Sequence, residues 1–240
     1  MEILILYRKS KERELQLLPL LCNKDRISID VGAAFGLYLA PMAKYSKHCV
    51  AFEPRPVAKQ NLESLFRDSS NVTLQESALS DYEGMAELHI FRDDENKSTI
   101  EKDNHITSEA SFELMNVNVI KLDNYQFKDS IGFIKIDVEG HEENVFRGSL
   151  KILKSDHPNI LVEIEEQHKS GSFNRVKTLL ATEGYNGFFY RDHKLHSIKN
   201  VEILDLQNMQ FYGTDSYINN FIFIHEDKVE KFSSIIGAYN

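Results

Sequence analysis

The chain has 240 residues with 28 basic and 37 acidic side chains, a net charge of −9, and 42% hydrophobic residues. Such a length and composition fit one globular domain with ample material for a core. The negative balance speaks against a nucleic-acid groove, where phosphates demand clustered Lys and Arg. The longest uncharged stretch, residues 31–43, falls short of the ~20 residues that a membrane span needs.

Residues 1–25 read as a lead-in, and residues 26–240 as the main domain. The apolar run at residues 3–7 is too short for a signal core and lacks a basic segment before it, so a cytoplasmic protein is expected. Residues 11–22 predict a helix, with Leu15, Leu18 and Cys22 at helical spacing despite Pro19. Cys22 and Cys49 sit in apolar contexts without metal spacing and read as buried thiols.

Residues 27–36, Ile-Ser-Ile-Asp-Val-Gly-Ala-Ala-Phe-Gly, read as a buried strand, a glycine turn and the start of a helix. Seventeen residues beyond Gly36 stands Glu53, a carboxylate closing a second apolar strand. An acid at about that distance grips a nucleoside ribose in doubly wound sheets. A dinucleotide site wants G-x-G-x-x-G, whose middle glycine admits a pyrophosphate, and here only Gly32 and Gly36 are present. The turn suits a smaller anion, such as an amino-acid carboxylate, with Asp30 facing its amine. Asp30, Gly32, Ala33, Gly36 and Glu53 thus favour S-adenosylmethionine over a nicotinamide cofactor.

Residues 57–68 predict a helix and 71–74 a strand, which would bring Ser77 and Ala78 beside an adenine at the carboxyl ends of the strands. Residues 84–91 alternate as a strand does. Residues 92–111, with Ser98, Thr99 and His105, form a polar stretch that reads as a lid or a solvated loop. Residues 117–123 predict a strand. A further apolar strand from Ile131 runs into Asp137, Glu139, His141 and Glu142, followed by a helical stripe through Val145, Phe146, Leu150 and Leu153. Residues 160–164 form a strand ahead of Glu165, Glu166 and His168, and 173–183 a helix ended by Gly184. Residues 185–190 and 221–224 read as closing strands, joined through 205–219.

Five segments carry a family likeness in order: Asp30-Val31-Gly32-Ala33, Phe52-Glu53-Pro54, Ala78-Leu79-Ser80, Leu122-Asp123 and Lys135-Ile136-Asp137-Val138-Glu139-Gly140. Together with Arg147-Gly148 and Glu163 they resemble the FkbM family of S-adenosylmethionine-dependent methyltransferases, over roughly residues 25–225. The hexapeptide at 135–140 is the most specific element. The resemblance implies an α/β, Rossmann-like class I methyltransferase fold: a mostly parallel seven-stranded sheet, one strand antiparallel near its edge, with helices on both faces. It also implies O-methylation of a sugar, glycan or other small hydroxylated acceptor. The family usually has Asn where this chain has Ala34, and often a small residue where it has His141.

Methyl transfer to oxygen needs an oriented hydroxyl and a group that takes its proton. Asp137, at a strand end beside the cleft, is expected to position the methionine amine or the acceptor. His141 is the candidate base, since imidazole titrates near working pH, and His168 is the second. Glu139 and His168 are the expected acceptor contacts. Asp137, Glu163 and Glu165 offer an alternative as ligands of a hard cation, although their spacing does not demand one. The competing readings are a nicotinamide oxidoreductase and a catalytically inactive cofactor-binding module.

Overall fold

The computed structural model describes residues 12–91, 97–104 and 112–237. The strand read at residues 3–7 and His105 lie outside the described residues. After a 3-10 turn at Arg13–Leu17 and the short helix α1 (Leu18–Leu21), the chain alternates strand and helix: β1 (Ile27–Val31), α2 (Leu39–Tyr45), β2 (His48–Phe52), α3 (Pro56–Leu65) and β3 (Val72–Gln75). Then come β4 (Ala78–Leu79), β5 (Gly84–Phe91), β6 (Ser98–Thr99) and β7 (Phe112–Ile120). The final third holds β8 (Ile131–Ile136), α4 (Glu142–Arg147), α5 (Leu150–Asp156), β9 (Asn159–Glu163), α6 (Ser172–Thr182), β10 (Tyr185–Arg191), β11 (Lys194–Ser197), α7 (Ile203–Leu206) and β12 (Asn220–His225).

The main sheet has eight strands in the order β11-β10-β12-β9-β8-β1-β2-β3. It is mixed, and this corrects the expected count of seven. Strands β3, β2, β1, β8 and β9 pair in parallel, β12 runs against both β9 and β10, and β11 runs against β10. The additional strand, β11, folds back from β10 through Asp192 and His193, both at positive φ (52° and 59°). Two such residues between paired Arg191 and Lys194 make the tight turn whose twist suits a hairpin. Without glycine in it, this turn carries no local hairpin signal.

Alternation along β1 decides which face each side chain serves. Ile27, Ile29 and Val31 join Ile134, Ile136, Ile160 and Val162 in one core, which α4, α5 and α6 cover with Val145, Phe146, Leu153, Phe173, Val176 and Leu180. On the other face, Cys49, Ala51, Phe133 and Leu161 pack on Leu18, Leu21, Leu39, Met42 and Leu62. Helices thus cover both faces, as expected. Each fully buried Phe or Leu contributes about 1.5–3 kcal/mol. Cys22 and Cys49 are buried free thiols.

The single helical stripe expected across 145–153 is two helices broken at Gly148. A Cβ there would stand 1.9 Å from the Ser80 carbonyl oxygen, so the chain comes too close for any side chain. Asp123 caps the second helix from outside, accepting from the amides of Lys151 (2.9 Å) and Ile152 (3.1 Å).

A second sheet, β4-β7-β5-β6, stands apart from the main one. The strand expected at 84–91 is β5, and β7 begins earlier than the expected 117, so the two pair over eight positions from Gly84↔Val119 to Phe91↔Phe112. The described part of the stretch read as a lid or a solvated loop, residues 97–104, is not a solvated loop. Ser98 and Thr99 pair with β5, and Thr99, Ile100, Glu101 and Asn104 are buried.

Candidate active site

The carboxyl ends of β1, β2 and β8 meet where parallel sheets gather ligands. The Gly32 amide donates to the Phe52 carbonyl (2.9 Å), the Asp137 amide to Val31 (3.0 Å) and the Glu53 amide to Gln75 (3.0 Å). Gly32 has φ +79°, and a Cβ on it would fall 1.9 Å from the Asp137 carbonyl oxygen. Only glycine lets the turn pass this close to β8. Beyond it opens a cavity of about 230 Å³, lined by Gly32, Ala34, Glu53, Ser77, Ala78, Asp137, Glu139 and His141. Phe52, Leu79, Leu88, Ile100 and Val138 supply its apolar walls.

Glu53 is buried and heavily bonded. Its Oε2 accepts from the Ala34 amide (2.9 Å) and Arg55 Nη2 (3.1 Å), and its Oε1 from the Arg55 amide (3.0 Å) and Nε (2.8 Å). These four bonds use the roughly four acceptor positions of a carboxylate. Ala34 sits at φ +44°, a left-handed conformation that Asn adopts more readily than Ala. Sequence reasoning passed over Arg55, two residues beyond Glu53, although its guanidinium is the carboxylate's main partner.

Four of the expected contacts do not line this cavity: Asp30, Ala33, Gly36 and His168. The pleat turns Asp30 to the opposite side from Ile29 and Val31, level with Lys135 of β8. There its Oδ2 has no hydrogen-bond partner, and burial pushes its carboxyl up to about 7 against the pull of Lys135. Ala33 packs in the core on that side. Gly36, at φ +77°, serves packing, since a Cβ would lie 3.0 Å from the Leu62 side chain. His168 stands behind Glu139, with its Nδ1 3.1 Å from Glu139 Oε2. Asp137, Glu163 and Glu165 do not gather as metal ligands. Among the described residues, one His/Cys/Asp/Glu group has ligand atoms within 4.8 Å of one another, and it is His157, His225 and Asp227, none of which lines the cavity.

His141 lines the cavity with both ring nitrogens engaged. Nδ1 lies 3.1 Å from Glu101 Oε2 and Nε2 lies 2.9 Å from Ser80 Oγ. Ser80 is fully buried and outside the cavity lining, so the Ser–His–Glu order offers no accessible nucleophile. Glu101 also accepts from Lys169 Nζ at 2.8 Å. Burial alone would raise its carboxyl, but the bonds from His141 and Lys169 hold it at about 2. Through this cluster, and through Asn104 Nδ2 donating to the Glu139 carbonyl (2.7 Å), residues 97–104 are fastened over the 137–141 turn.

Glu139 occupies a strained position at φ +52°, and its carboxyl is raised to about 8 by burial and by Asp137 beside it. Burial also raises Glu14 and Glu142 to about 7 each. A carboxyl with a raised folded pKa keeps its proton in the folded chain after the unfolded chain has released it. Below the unfolded value neither state gains. Stability then falls as pH rises from about 4.5 to 8. His168 and His48, both lowered by burial, work in the opposite direction but are two groups against five, Asp30 and Glu163 included. The melting temperature of the ligand-free protein is therefore expected to drop by several degrees between pH 5 and pH 8. A scanning-calorimetry profile that is flat or rising over that range would contradict these burial assignments.

Among the described residues no helix is long and apolar enough to cross a membrane. No curated protein matches the sequence. In structure, the chain is similar to methyltransferase FkbM from Methylobacillus flagellatus KT, with a TM-score of 0.53 and 14% identity over 84% of this chain and 44% of that one. The chain thus spans less than half the length of that protein. An rRNA methylase from Streptococcus thermophilus gives a TM-score of 0.51 at 10% identity, covering 88% and 93% of the two chains. A Streptococcus mutans protein solved in complex with SAH gives 0.50 at 11% identity, covering 89% and 95%. At such identities these likenesses speak to fold. The family is shown by the sequence itself: the model of the methyltransferase FkbM domain matches residues 30–187, and the chain belongs to that family.

Proposed function

We propose that the protein transfers a methyl group from S-adenosylmethionine to a hydroxyl of a small acceptor, such as a sugar or glycan. The observation that carries this reading is the glycine turn and Glu53 lining one hollow at the carboxyl ends of β1 and β2. The residues fit the cofactor: Gly32 lets the turn lie against the Asp137 carbonyl while lining the cavity, and the apolar walls beyond Glu53 suit a base. Glu53 would hold the ribose hydroxyls, Ser77 and Ala78 would border the adenine, and the 32–34 turn with Asp137 would take the methionine end. When bound, S-adenosylmethionine supplies an electrophilic methyl on a sulfonium.

The chain must then orient the acceptor oxygen and take its proton as the new C–O bond forms. Asp137, with its carboxylate partly open to the cavity and 3.7 Å from Lys135 Nζ, is placed to position the acceptor. Glu139 is the better placed base. It borders the cavity and its raised carboxyl releases a proton near working pH. The engaged nitrogens of His141 fit a positioning role that fastens residues 97–104. A carbohydrate-like acceptor is favoured over nucleic acid by the net charge of −9 and by carboxylates bordering the cavity, because phosphates would be repelled.

Calorimetry with S-adenosylhomocysteine tests the donor site directly. Micromolar binding is expected, with NAD(H) giving none. A screen of sugars, nucleotide-sugars and oligosaccharides with labelled methyl donor is expected to yield a methyl ether. Binding of NAD(H) without S-adenosylhomocysteine would move the chain to the oxidoreductase reading.

A further inference from the structure

Beside the donor cavity lies a second hollow of about 270 Å³ that shares Glu139 and Lys97 with it. It is built where five distant segments meet: residues 12–14, Lys97, the turn after β8, the end of β9, and residues 212–220 leading into β12. Six carboxylates line it, those of Glu12, Glu14, Glu139, Glu163, Glu165 and Asp215, against two cations, Arg13 and Lys97. Arg13 is paired with Asp215 at 3.0 Å. The buried Lys135 adds a third positive charge within electrostatic reach of Glu12 and Glu163.

Acidic side chains on a surface are usually just solvated, but of these six only Asp215 is exposed. Glu14 and Glu165 are buried, and so is Asn220, which lines the same hollow. The Asn220 amide donates to Glu12 Oε2 at 3.1 Å, while its Oδ1 has no hydrogen-bond partner. An orphaned buried acceptor is costly to fold around, and a ligand N–H would satisfy it. Tyr212 and Tyr217 add aromatic faces to the wall, in edge contact at 5.2 Å. Carboxylates combined with aromatic faces recognise an ammonium group.

We propose that this hollow is the acceptor subsite and that it seats a positively charged amine, so that the acceptor is an amine-bearing hydroxyl compound such as an amino sugar. The inference rests on the methyltransferase reading above. The amine enters the acidic hollow, and Glu139, on the shared border, faces the hydroxyl that receives the methyl. A small divalent ion fits less well. It needs six or more oxygen atoms converging at about 2.0–2.6 Å, whereas no three acids here bring ligand atoms within 4.8 Å of one another. Burial raises Glu14 to about 7 and raises Glu163 as well, so these groups gain most by ionising against a cation.

The test uses the full chain saturated with S-adenosylhomocysteine and matched probes at pH 7.5. Calorimetry compares glucosamine with glucose, and 1,4-diaminobutane with 1,4-butanediol. At least one amine is expected to bind ten or more times tighter than its hydroxyl counterpart, and Glu163→Gln is expected to abolish that difference. Should Glu163→Gln not fold, Asp215→Asn at the exposed rim is expected to reduce it. Equal binding within both pairs, no binding by either amine, or tighter binding of Mg²⁺ alone would each overturn the proposal. The S-adenosylhomocysteine titration separates the two levels. If it binds while the amines show no preference, only this inference fails; if it does not bind, the underlying methyltransferase reading fails.

Discussion

Replacing Glu139 with Gln is expected to lower kcat by about 10²–10⁴-fold on whichever acceptor the screen identifies, with donor affinity nearly unchanged. Gln has the shape of Glu and can occupy the same left-handed backbone position, but it cannot take a proton. The wild-type rate should climb with pH and level off near 8, because burial and the neighbouring Asp137 raise the Glu139 carboxyl to about that value. In the variant that rising limb should vanish. A structural role would leave the limb in place and change only the level. Persistence of the limb in Glu139→Gln, together with its loss in His141→Gln, would return the base role to the imidazole. As the geometry stands, His141→Gln should instead loosen residues 97–104, raising KM more than it lowers kcat, since the ring bridges Glu101 and Ser80.

The elements that place the donor site were legible because each has a local signature. The apolar runs of β1, β2 and β8, the last interrupted by Lys135, end at Asp30, Glu53 and Asp137, and strand alternation with glycine turns needs only neighbouring residues to be read. What the sequence hid depends on contacts between distant segments. Asp30 looked like a cleft residue because it ends the apolar run, yet the pleat turns it to the Lys135 side. The β11 strand escaped because its turn uses Asp192 and His193 where Asn-Gly would have announced it. The second hollow was beyond reach, since Glu14, Glu139, Glu163 and Asp215 share no spacing and meet only once the sheet is assembled. Glu101 and Lys169, which fix His141, are likewise far from it in the chain.

Glu53→Ala is expected to weaken S-adenosylhomocysteine binding by at least about 100-fold, near 3 kcal/mol, if the carboxylate clasps both ribose hydroxyls by charge-assisted bonds. The same change should cost about 3–5 kcal/mol of stability, because it strands the buried Arg55 guanidinium without its carboxylate. The two effects must be separated, and Arg55 is the means. In the structure its Nε and Nη2 occupy acceptor positions of Glu53 that ribose would need. Ribose and guanidinium therefore compete for one carboxylate. Arg55→Ala should lower the melting temperature yet leave S-adenosylhomocysteine affinity unchanged or tighter, since it frees those positions. The double variant Glu53→Gln/Arg55→Leu removes both charges, so it should recover part of the lost stability without recovering affinity. If Arg55→Ala weakened binding as deeply as Glu53→Ala, the pair would matter only as a brace for the 32–34 turn. The ribose assignment would then fail even though the fold and the family stand.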